Sequence, residues 1–313
     1  MTCDHGDLAD LPSDYRSLMK TPRNIEVSNL CGGQFVYIAI ANGLELCLKN
    51  PVFSQKVQAY FATNPLIEKT VKLIINVDGL PLFKSSTQCF WPILACCSAS
   101  VRTPPFLVAL FCGNGKPNSL DDFMSSFFDE YDCLSSLGYG HGNERYIIKI
   151  EAFSCDMPAR QFLKNIKGHT GYHACERCTI KGSIKSELCG SAEEHAHMKK
   201  NMAFLGTNCP SKSNQLFNDF AYFSKDFSKT HQIGYTILMD HYIQCVTSLT
   251  MDVMHAVFLG FVRRHLNFLT GGPRKCKLSN HQLKRLSNDL IRLEEYWPSD
   301  FQHRPRGLDT VSR

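Results

Sequence analysis

The pattern of apolar and polar positions predicts a strand-rich first half of the chain. Short apolar runs at 71–79, 88–97 and 105–113 are separated by turn-forming residues, which predicts three strands of a meander. A fourth strand is predicted over 145–156. Ahead of them, the segment Gly33–Leu48 begins with a strand-like pattern, and the segment after it is weakly helical.

Between the third and fourth strands the apolar period changes to that of a helix. Ser119 is a suitable N-cap residue. A buried face is predicted from residues spaced four apart, Phe123, Phe127 and Tyr131. A shorter helix follows the fourth strand, with Pro158 in its first turn. The order strand, strand, strand, helix, strand, helix indicates an α/β fold.

The rest of the chain changes character twice. Residues 171–245 carry cysteines, histidines and many small polar residues with little periodicity, which indicates a loop-rich insertion. A helix is then predicted with Thr250 as its N-cap, and a last helix presents leucines on one face, Leu283, Leu286, Leu290 and Leu293. Four regions follow from these changes: a leader (1–66), a first core part (67–170), the insertion (171–245) and a helical rear part (246–313).

Composition restricts the class of protein but does not identify a binding partner. Hydrophobic residues make up 43% and charged residues 20% of the 313 positions, which is typical of soluble globular proteins. The net charge of +5 mildly favours polyanionic partners. The sequence has no signal-peptide pattern and no apolar run of about 18 residues, so a membrane partner is not expected. Fifteen cysteines, an odd number, favour a reducing intracellular compartment.

Two aspartates stand where predicted strands end. Asp78 closes the first strand and Asp156 closes the fourth. If these strands are neighbours, the two carboxylates converge at one edge of the sheet, as a two-magnesium site requires. The alternative is structural: Asp78 belongs to an Asp-Gly turn, and Asp156 caps the helix that follows it.

A pair of cysteines in the insertion has the spacing of a zinc motif. Cys175 and Cys178 form a C-x₂-C pair, which supplies half of a tetrahedral zinc site. The candidates for the other ligands are His169, His173, Cys189, His195, His197, Cys209 and His255. The alternative is a pair of ordinary thiols in a loop.

The rear part carries one more polar signature. Asp252 and His255 are three positions apart at a predicted helix start, so their side chains should face the same way. A helix-capping aspartate beside a surface histidine is the structural alternative. Basic residues cluster late in the chain and suit either a phosphate-facing surface or scattered solvated charge: Arg263, Arg264, Lys275, Arg285, Arg304 and Arg306.

Several segments, taken in order, carry a family resemblance. The sequences NVDGLPLFKSS, CGNGKP, CDMPARQFLKNIKGHTGY, CERC and MDVMHAVFLG resemble the transposase-domain proteins of CACTA-like (En/Spm-type) DNA transposons. LPSDYRSLMKTPR and RPRGL resemble that family's flanking segments, so the likeness spans Leu11 to Arg306.

The resemblance implies an RNase H-like mixed sheet flanked by helices and three metal-binding acids. Asp78 matches the first acid and Asp156 the second. Cys175 and Cys178 match a C-x₂-C insertion that suits Zn²⁺, and Asp252 with His255 matches a D-x-x-H signature of unknown role. The family would use Mg²⁺ or Mn²⁺, act on transposon ends and target DNA in the nucleus, and allow a homo-oligomer.

One departure from the family pattern changes the expected activity. The family's third acid is a glutamate on a helix beyond the basic, proline-containing segment, and the sequence has no counterpart there. Glu294 and Glu295 are the nearest glutamates, but they precede that segment. We therefore expect a truncated, catalytically incomplete transposase-like protein. The alternative is a non-enzymatic nucleic-acid-binding or protein-binding remnant of a domesticated or decayed transposon.

Overall fold

A computed structural model describes residues 26–63, 69–98, 103–189, 197–206, 208–297, 304 and 306–308. Residues 1–25 and 64–66 of the predicted leader lie outside these residues. The strands are β1 (Ser28–Leu30), β2 (Gly33–Tyr37), β3 (Thr70–Val77), β4 (Leu80–Pro81), β5 (Gln88–Ser98), β6 (Phe106–Asn114), β7 (Tyr139–His141), β8 (Glu144–Cys155), β9 (Ser183–Cys189), β10 (His197–Ala203) and β11 (Leu249–Met251). The α-helices are α1 (Ile40–Lys49), α2 (Pro51–Thr63), α3 (Leu120–Ser136), α4 (Met157–Lys164), α5 (Asn214–Asn218), α6 (Arg263–Gly271) and α7 (Asn280–Arg292).

The chain divides into two compact units. The first continues to Ser154 and resumes over Pro158–Leu249, so it contains the predicted insertion. The second comprises Cys155–Met157 and Thr250–Arg313. Among the described residues, every helix falls short of the length and apolar character needed to span a bilayer.

A mixed sheet forms the centre of the first unit. Its strand order is β1-β2-β6-β5-β3-β8, and β3, β5 and β6 form an antiparallel meander. β8 lies on the other side of β3 and runs parallel to it. A parallel neighbour needs a crossover connection, and helix α3 lies in it. The predicted α/β class is therefore confirmed as a mixed sheet with flanking helices, and the predicted three-strand meander is confirmed.

The core lies where one face of the sheet meets helix α3. Alternate residues of β3 are at most 1% exposed: Val71, Leu73, Ile75 and Val77. Helix α3 contributes Phe123, Met124, Phe127 and Phe128, all 0% exposed. The Asp122 N–H donates to the Ser119 hydroxyl at 3.2 Å, so the predicted N-cap is confirmed.

The strand-like start over Gly33–Leu48 is followed by a helix that the sequence pattern did not indicate. β2 ends at Tyr37 and α1 begins at Ile40. The Glu130 carboxylate of α3 accepts hydrogen bonds from the Ile40 N–H (2.6 Å) and the Ala41 N–H (2.9 Å). A distant carboxylate thus occupies the helix N-terminus, where negative charge is favoured.

The first helix of the rear part begins about one turn later than predicted. The prediction that Thr250 is an N-cap is wrong, because Thr250 lies in β11 and the Asp252 carboxylate accepts from the Met254 N–H at 2.8 Å. A π-helix then spans Met254–Val262 and leads into α6. Helix α7 begins with a capping box between Ser279 and Gln282. Neither α6 nor α7 has a buried side chain.

Candidate functional site

The two predicted metal-binding aspartates directly follow neighbouring strands. Asp78 comes after β3 and Asp156 after β8. The register pairs Ile75 with Phe153, and the Asn76 side-chain amide donates to the Ser154 carbonyl at 2.6 Å. The strand adjacency on which the magnesium prediction depends is therefore confirmed. Because the strands are parallel, their carboxyl ends lie at the same edge of the sheet.

Asp78 also has a local structural role. Its Oδ1 accepts a hydrogen bond from the Gly79 N–H at 2.7 Å. The predicted Asp-Gly turn is wrong, because Val77 pairs with Ile93 and Leu80 with Phe90, so β4 continues along β5 in the direction of β3. A Cβ atom at position 79 would lie 3.0 Å from the Trp91 ring, so glycine suits this close approach of the backbone to the ring. An ionised carboxylate has about four acceptor sites, so this hydrogen bond is compatible with metal binding.

Within the part of the chain that the structure describes, no three histidine, cysteine, aspartate or glutamate side chains form a group able to hold a metal ion. The magnesium and zinc sites therefore remain predictions. The local chemistry of each candidate residue decides how well it fits such an ion.

Asp252 and His255 form one pair, as their spacing predicts. Asp252 Oδ2 lies 2.6 Å from His255 Nδ1, while Oδ1 accepts from the Met254 N–H. Burial raises the pKa of Asp252, but the hydrogen bonds from His255 and Met254 outweigh it and hold the pKa below its usual value. Asp252 thus accepts a backbone hydrogen bond at the start of the π-helix, although the N-cap position itself is Val253.

The C-x₂-C pair has the local geometry of a metal-binding loop. The sulfurs of Cys175 and Cys178 are 3.4 Å apart. The backbone N–H groups of Arg177 and Cys178 point at the Cys175 sulfur, and that of Ile180 points at the Cys178 sulfur. Burial raises the pKa of Cys175, but these N–H groups outweigh it and hold the pKa below its usual value. At Cys178 the Ile180 N–H lowers the pKa, but burial and the neighbouring Cys175 outweigh it and raise that pKa. Cys175 therefore has the stabilised thiolate, which is the form of cysteine that binds metal.

The two residues between the cysteines anchor this loop. Glu176 accepts hydrogen bonds from the Arg160 guanidinium (2.9–3.2 Å) and from the Lys164 amine (2.9 Å) of helix α4. Arg160 and Lys164 are at most 2% exposed. On the opposite side, Arg177 donates to the Leu249 carbonyl at 2.9 Å and to the Val246 carbonyl. The loop is thereby attached both to α4 and to the start of β11.

Sequence reasoning missed this buried ion cluster. Its only signal was the spacing of Arg160 and Lys164, which lie four positions apart and therefore share one face of a helix. That spacing is common on solvated helices, and only the contact with Glu176 distinguishes it here.

The predicted partner ligands of the cysteine pair fall into different places. Cys209 lies beside the pair, because Cys178 bridges Ser211 and the Thr179 N–H donates to the Pro210 carbonyl at 3.0 Å. His169 is exposed, 3.5 Å from the Gln161 side chain. His195 and the side chains of Cys189 and His197 lie outside the described part of the chain.

A histidine absent from that set of candidates lies close to the cysteine pair. His231 is 3% exposed, and its Nδ1 is 2.7 Å from the His173 carbonyl oxygen. Burial and the neighbouring Lys212 ammonium lower the pKa of His231 to about 3, so the ring is neutral. His231 lines a cavity of about 210 Å³ together with Cys178, Lys212 and His173. Histidine 53 positions after the second cysteine gives no spacing signal, so the sequence could not identify it.

Glu294, one of the two candidates for a third acid, already forms an ion pair. It contacts the Arg304 guanidinium, and the two side chains are 41% and 77% exposed. Both Glu294 and Glu295 belong to a single-turn 3₁₀-helix over Leu293–Tyr296. Their surroundings are those of a solvated helix end.

Comparison with known proteins adds no assignment. No family model and no curated protein matches this chain. The resemblance to CACTA-like transposase-domain proteins therefore stays a prediction from the ordered motifs.

Proposed function

We propose that this protein is a DNA transposase-like protein with an RNase H-like core that binds Mg²⁺ or Mn²⁺ through Asp78 and Asp156. Intact relatives would cleave DNA strands by metal-assisted hydrolysis and join the freed 3′ hydroxyl to target DNA. The observation that carries the proposal is the parallel pairing of β3 with β8, each of which is directly followed by one of the two aspartates.

The strand arrangement supports the RNase H-like assignment. The first strand of the meander, β3, lies beside the fourth long strand, β8, and helix α3 lies between the meander and β8 along the chain. Beyond β8, the Phe153 N–H donates to the Ser248 carbonyl at 2.8 Å, immediately before β11. The central order is therefore third, second, first and fourth strand, the order we expect of an RNase H-like sheet.

The acid chemistry supports a hard divalent cation. Mg²⁺ takes oxygen ligands and is commonly held by one or two carboxylates together with substrate phosphate oxygens. Two such ions would stabilise the attacking and leaving oxygens of a phosphoryl displacement. Asp78 and Asp156 are both half-buried, so they are positioned between the core and solvent, where a DNA phosphate has access.

Exposed basic residues support contact with DNA. Helix α6 begins with Arg263 and Arg264, and both are exposed. On α7 a surface cavity of about 360 Å³ is lined by polar and mostly basic residues, His281, Lys284, Arg285, Asn288, Asp289 and Arg292. Contacts of this kind bind phosphates without reading the base sequence.

A second candidate function is nucleic-acid binding without catalysis. It is favoured by the ion pair between Glu294 and Arg304, which engages one of the two candidate third acids. Cleavage requires rigidly held metals, since a misplacement of about 1 Å can reduce the rate on the order of a hundredfold. We therefore predict that the 313-residue chain binds DNA but does not cut it.

Metal titration and a DNA assay test the proposal together. We expect Mn²⁺ binding, followed by electron paramagnetic resonance, to weaken in Asp78→Asn and in Asp156→Asn by more than the roughly 10–100-fold typical of outer-shell changes. The control is Asp121→Asn, which changes an exposed aspartate in the first turn of α3. DNA affinity should fall on the order of tens of fold between about 50 and 200 mM salt if about three phosphates are contacted.

Two outcomes would change the conclusion. Equal Mn²⁺ affinity in all three variants would refute the metal site. Strand cleavage by the wild-type chain that disappears in Asp156→Asn would favour the enzyme over the binding protein. Glu294→Gln and Glu295→Gln would then identify the third acid.

A further inference from the structure

His231 has the hydrogen-bond pattern of a histidine that binds a metal. A carbonyl oxygen can only accept, so the 2.7 Å contact with the His173 carbonyl places the ring proton on Nδ1. The lone pair is then on Nε2, which is buried and has no hydrogen-bond partner among the described residues. Buried polar atoms normally find a partner, so this orphaned acceptor requires an explanation.

The surroundings hold the ring rigidly and keep it near the cysteines. The His231 N–H donates to the Tyr222 carbonyl at 2.9 Å, and the Tyr222 ring meets the imidazole edge to face at 6.4 Å. The cavity beside His231 is also lined by Cys178. His173, which holds Nδ1, precedes Cys175 by two positions, so one short segment contacts His231 and supplies the first sulfur.

We propose that His231 is a zinc ligand and that Cys175, Cys178, Cys209 and His231 together form a tetrahedral Cys₃His zinc site. Histidines that ligate metals almost always donate the second ring N–H to a carboxylate, a backbone carbonyl or water, as His231 does. Cys₃His is an established ligand set for structural zinc. Zinc binding requires these four atoms to lie closer together than they do in the structure, since no three such side chains form a metal-binding group among the described residues. These four ligands complete a tetrahedral set, so His255, one of the histidines considered from the sequence, is not needed.

Charge balance supports an anionic metal centre at this place. Lys212 is 7% exposed, and its amine donates to the Cys175 carbonyl at 2.6 Å. Arg160 and Lys164 are buried nearby with Glu176 as their carboxylate partner, so the positive charges are in excess. A zinc ion held by three thiolates and a neutral imidazole carries one net negative charge. It would offset a buried ammonium that is otherwise costly.

Zinc content and cobalt spectroscopy on the full chain test the proposal without any activity assay. Purified under reducing conditions, the wild-type chain should contain one zinc per molecule. With Co²⁺ in its place, it should show sulfur-to-cobalt charge transfer and the strong visible bands of tetrahedral coordination. His231→Ala should lose zinc affinity by at least about a hundredfold, more than outer-shell changes cause. His169→Ala, which removes an exposed histidine of the same segment, should behave as the wild type.

His231→Cys separates a ligand from a merely structural residue. As a ligand exchange it should keep one zinc and should strengthen the sulfur-to-cobalt charge-transfer band, because a fourth sulfur replaces the nitrogen. A residue needed only for packing would not change that band. X-ray absorption of the zinc form should count three sulfurs and one nitrogen in the wild type and four sulfurs in the variant.

Any of three results would overturn the proposal: a wild-type chain without zinc, a Cys175–Cys178 disulfide in its place, or a folded His231→Ala variant with unchanged zinc affinity. The proposal does not depend on action on DNA. Asp78→Asn should leave the zinc content at one, so the failure of either proposal can be recognised separately.

Discussion

Helix α3 in the first unit and helix α7 in the second have similar amphipathic patterns, but their apolar side chains are buried to different extents. Four side chains of α3 are completely buried, Phe123, Met124, Phe127 and Phe128. Of the predicted apolar face, Leu283, Leu286 and Leu290 of α7 are only half-buried, whereas Leu293 lies beyond the helix and is 49% exposed. An amphipathic period therefore predicted both helices correctly but did not predict how much of each face is buried.

The difference indicates two sources of helix stability. A helix with a buried face is stabilised mainly by tertiary packing. Helix α7 has instead a complete capping box, in which the Gln282 N–H donates to the Ser279 hydroxyl and the Ser279 N–H donates to the Gln282 side chain. We expect α3 to unfold only with the first unit, and α7 to open locally.

The largest expected effect comes from removing a buried ring. Phe127→Ala should lower the free energy of unfolding of the first unit by about 3–5 kcal/mol, because the ring is fully buried and leaves a cavity. Leu286→Ala, the matched change on α7, should cost less than about 1 kcal/mol, because a half-buried side chain loses little contact. Urea unfolding followed by circular dichroism measures both. Equal losses would mean that α7 is packed as tightly as α3.

The buried ion cluster should give the next largest effect. Glu176→Gln leaves Arg160 and Lys164 buried without a carboxylate, so it should cost about 3–5 kcal/mol at neutral pH. Burial lowers the pKa of Lys164 despite the Glu176 carboxylate, so that ammonium is poorly compensated. Lys164→Met should therefore be neutral within about 1 kcal/mol. A Lys164→Met loss as large as that of Glu176→Gln would contradict this account.

The same cluster predicts a pH dependence of stability. Burial raises the pKa of Glu176, but Lys164 and Arg160 outweigh it, so the folded-state pKa lies below the ordinary 4.5. The stabilisation is therefore complete above about pH 4.5 and is lost as the pH falls through the folded-state pKa. Unfolding at a series of pH values should show the gap between wild type and Glu176→Gln closing at acid pH. If the difference in unfolding free energy between wild type and Glu176→Gln stays constant with pH, titration of Glu176 is not its cause.

The smallest expected effect separates the helices by hydrogen exchange. Ser279→Ala removes the capping box of α7 and should cost about 1 kcal/mol, seen as faster amide exchange confined to that helix. Ser119→Ala removes the N-cap of α3 at a similar cost, but exchange within α3 should follow global unfolding, because its side chains are buried in the core. Faster amide exchange confined to α3 would show that the buried side chains do not prevent local opening of that helix.

Much of the fold could be predicted because its signals are short-range. The four long strands and α3 were each indicated by apolar periods within about ten residues. The failed N-cap at Thr250 has a local cause, since Asp252 two positions later offers a carboxylate to the same helix start. Thr250 pairs in β11, so the Asp252 carboxylate and not the Thr250 hydroxyl accepts from the backbone where the helix begins.

The candidate sites show the same difference between residues that are close in sequence and residues that meet only in the folded chain. Spacing alone identified Cys175 with Cys178, and Asp252 with His255, because residues three apart in a turn or helix are neighbours. His231 could not be found in this way, since it is 58 positions from the His173 carbonyl that orients it.

What the sequence by itself determined is therefore the local structure: strand and helix positions, the cap at Ser119, and the paired cysteines. The tertiary structure alone decided which distant groups meet. Glu130 caps α1 from 90 positions away, and Glu176 meets Arg160 and Lys164 where the insertion folds back on α4. The physical reason is the range of the interactions. Backbone periodicity and capping act within one or two turns, whereas buried charges and orphaned polar atoms are partnered only when the sheet has formed.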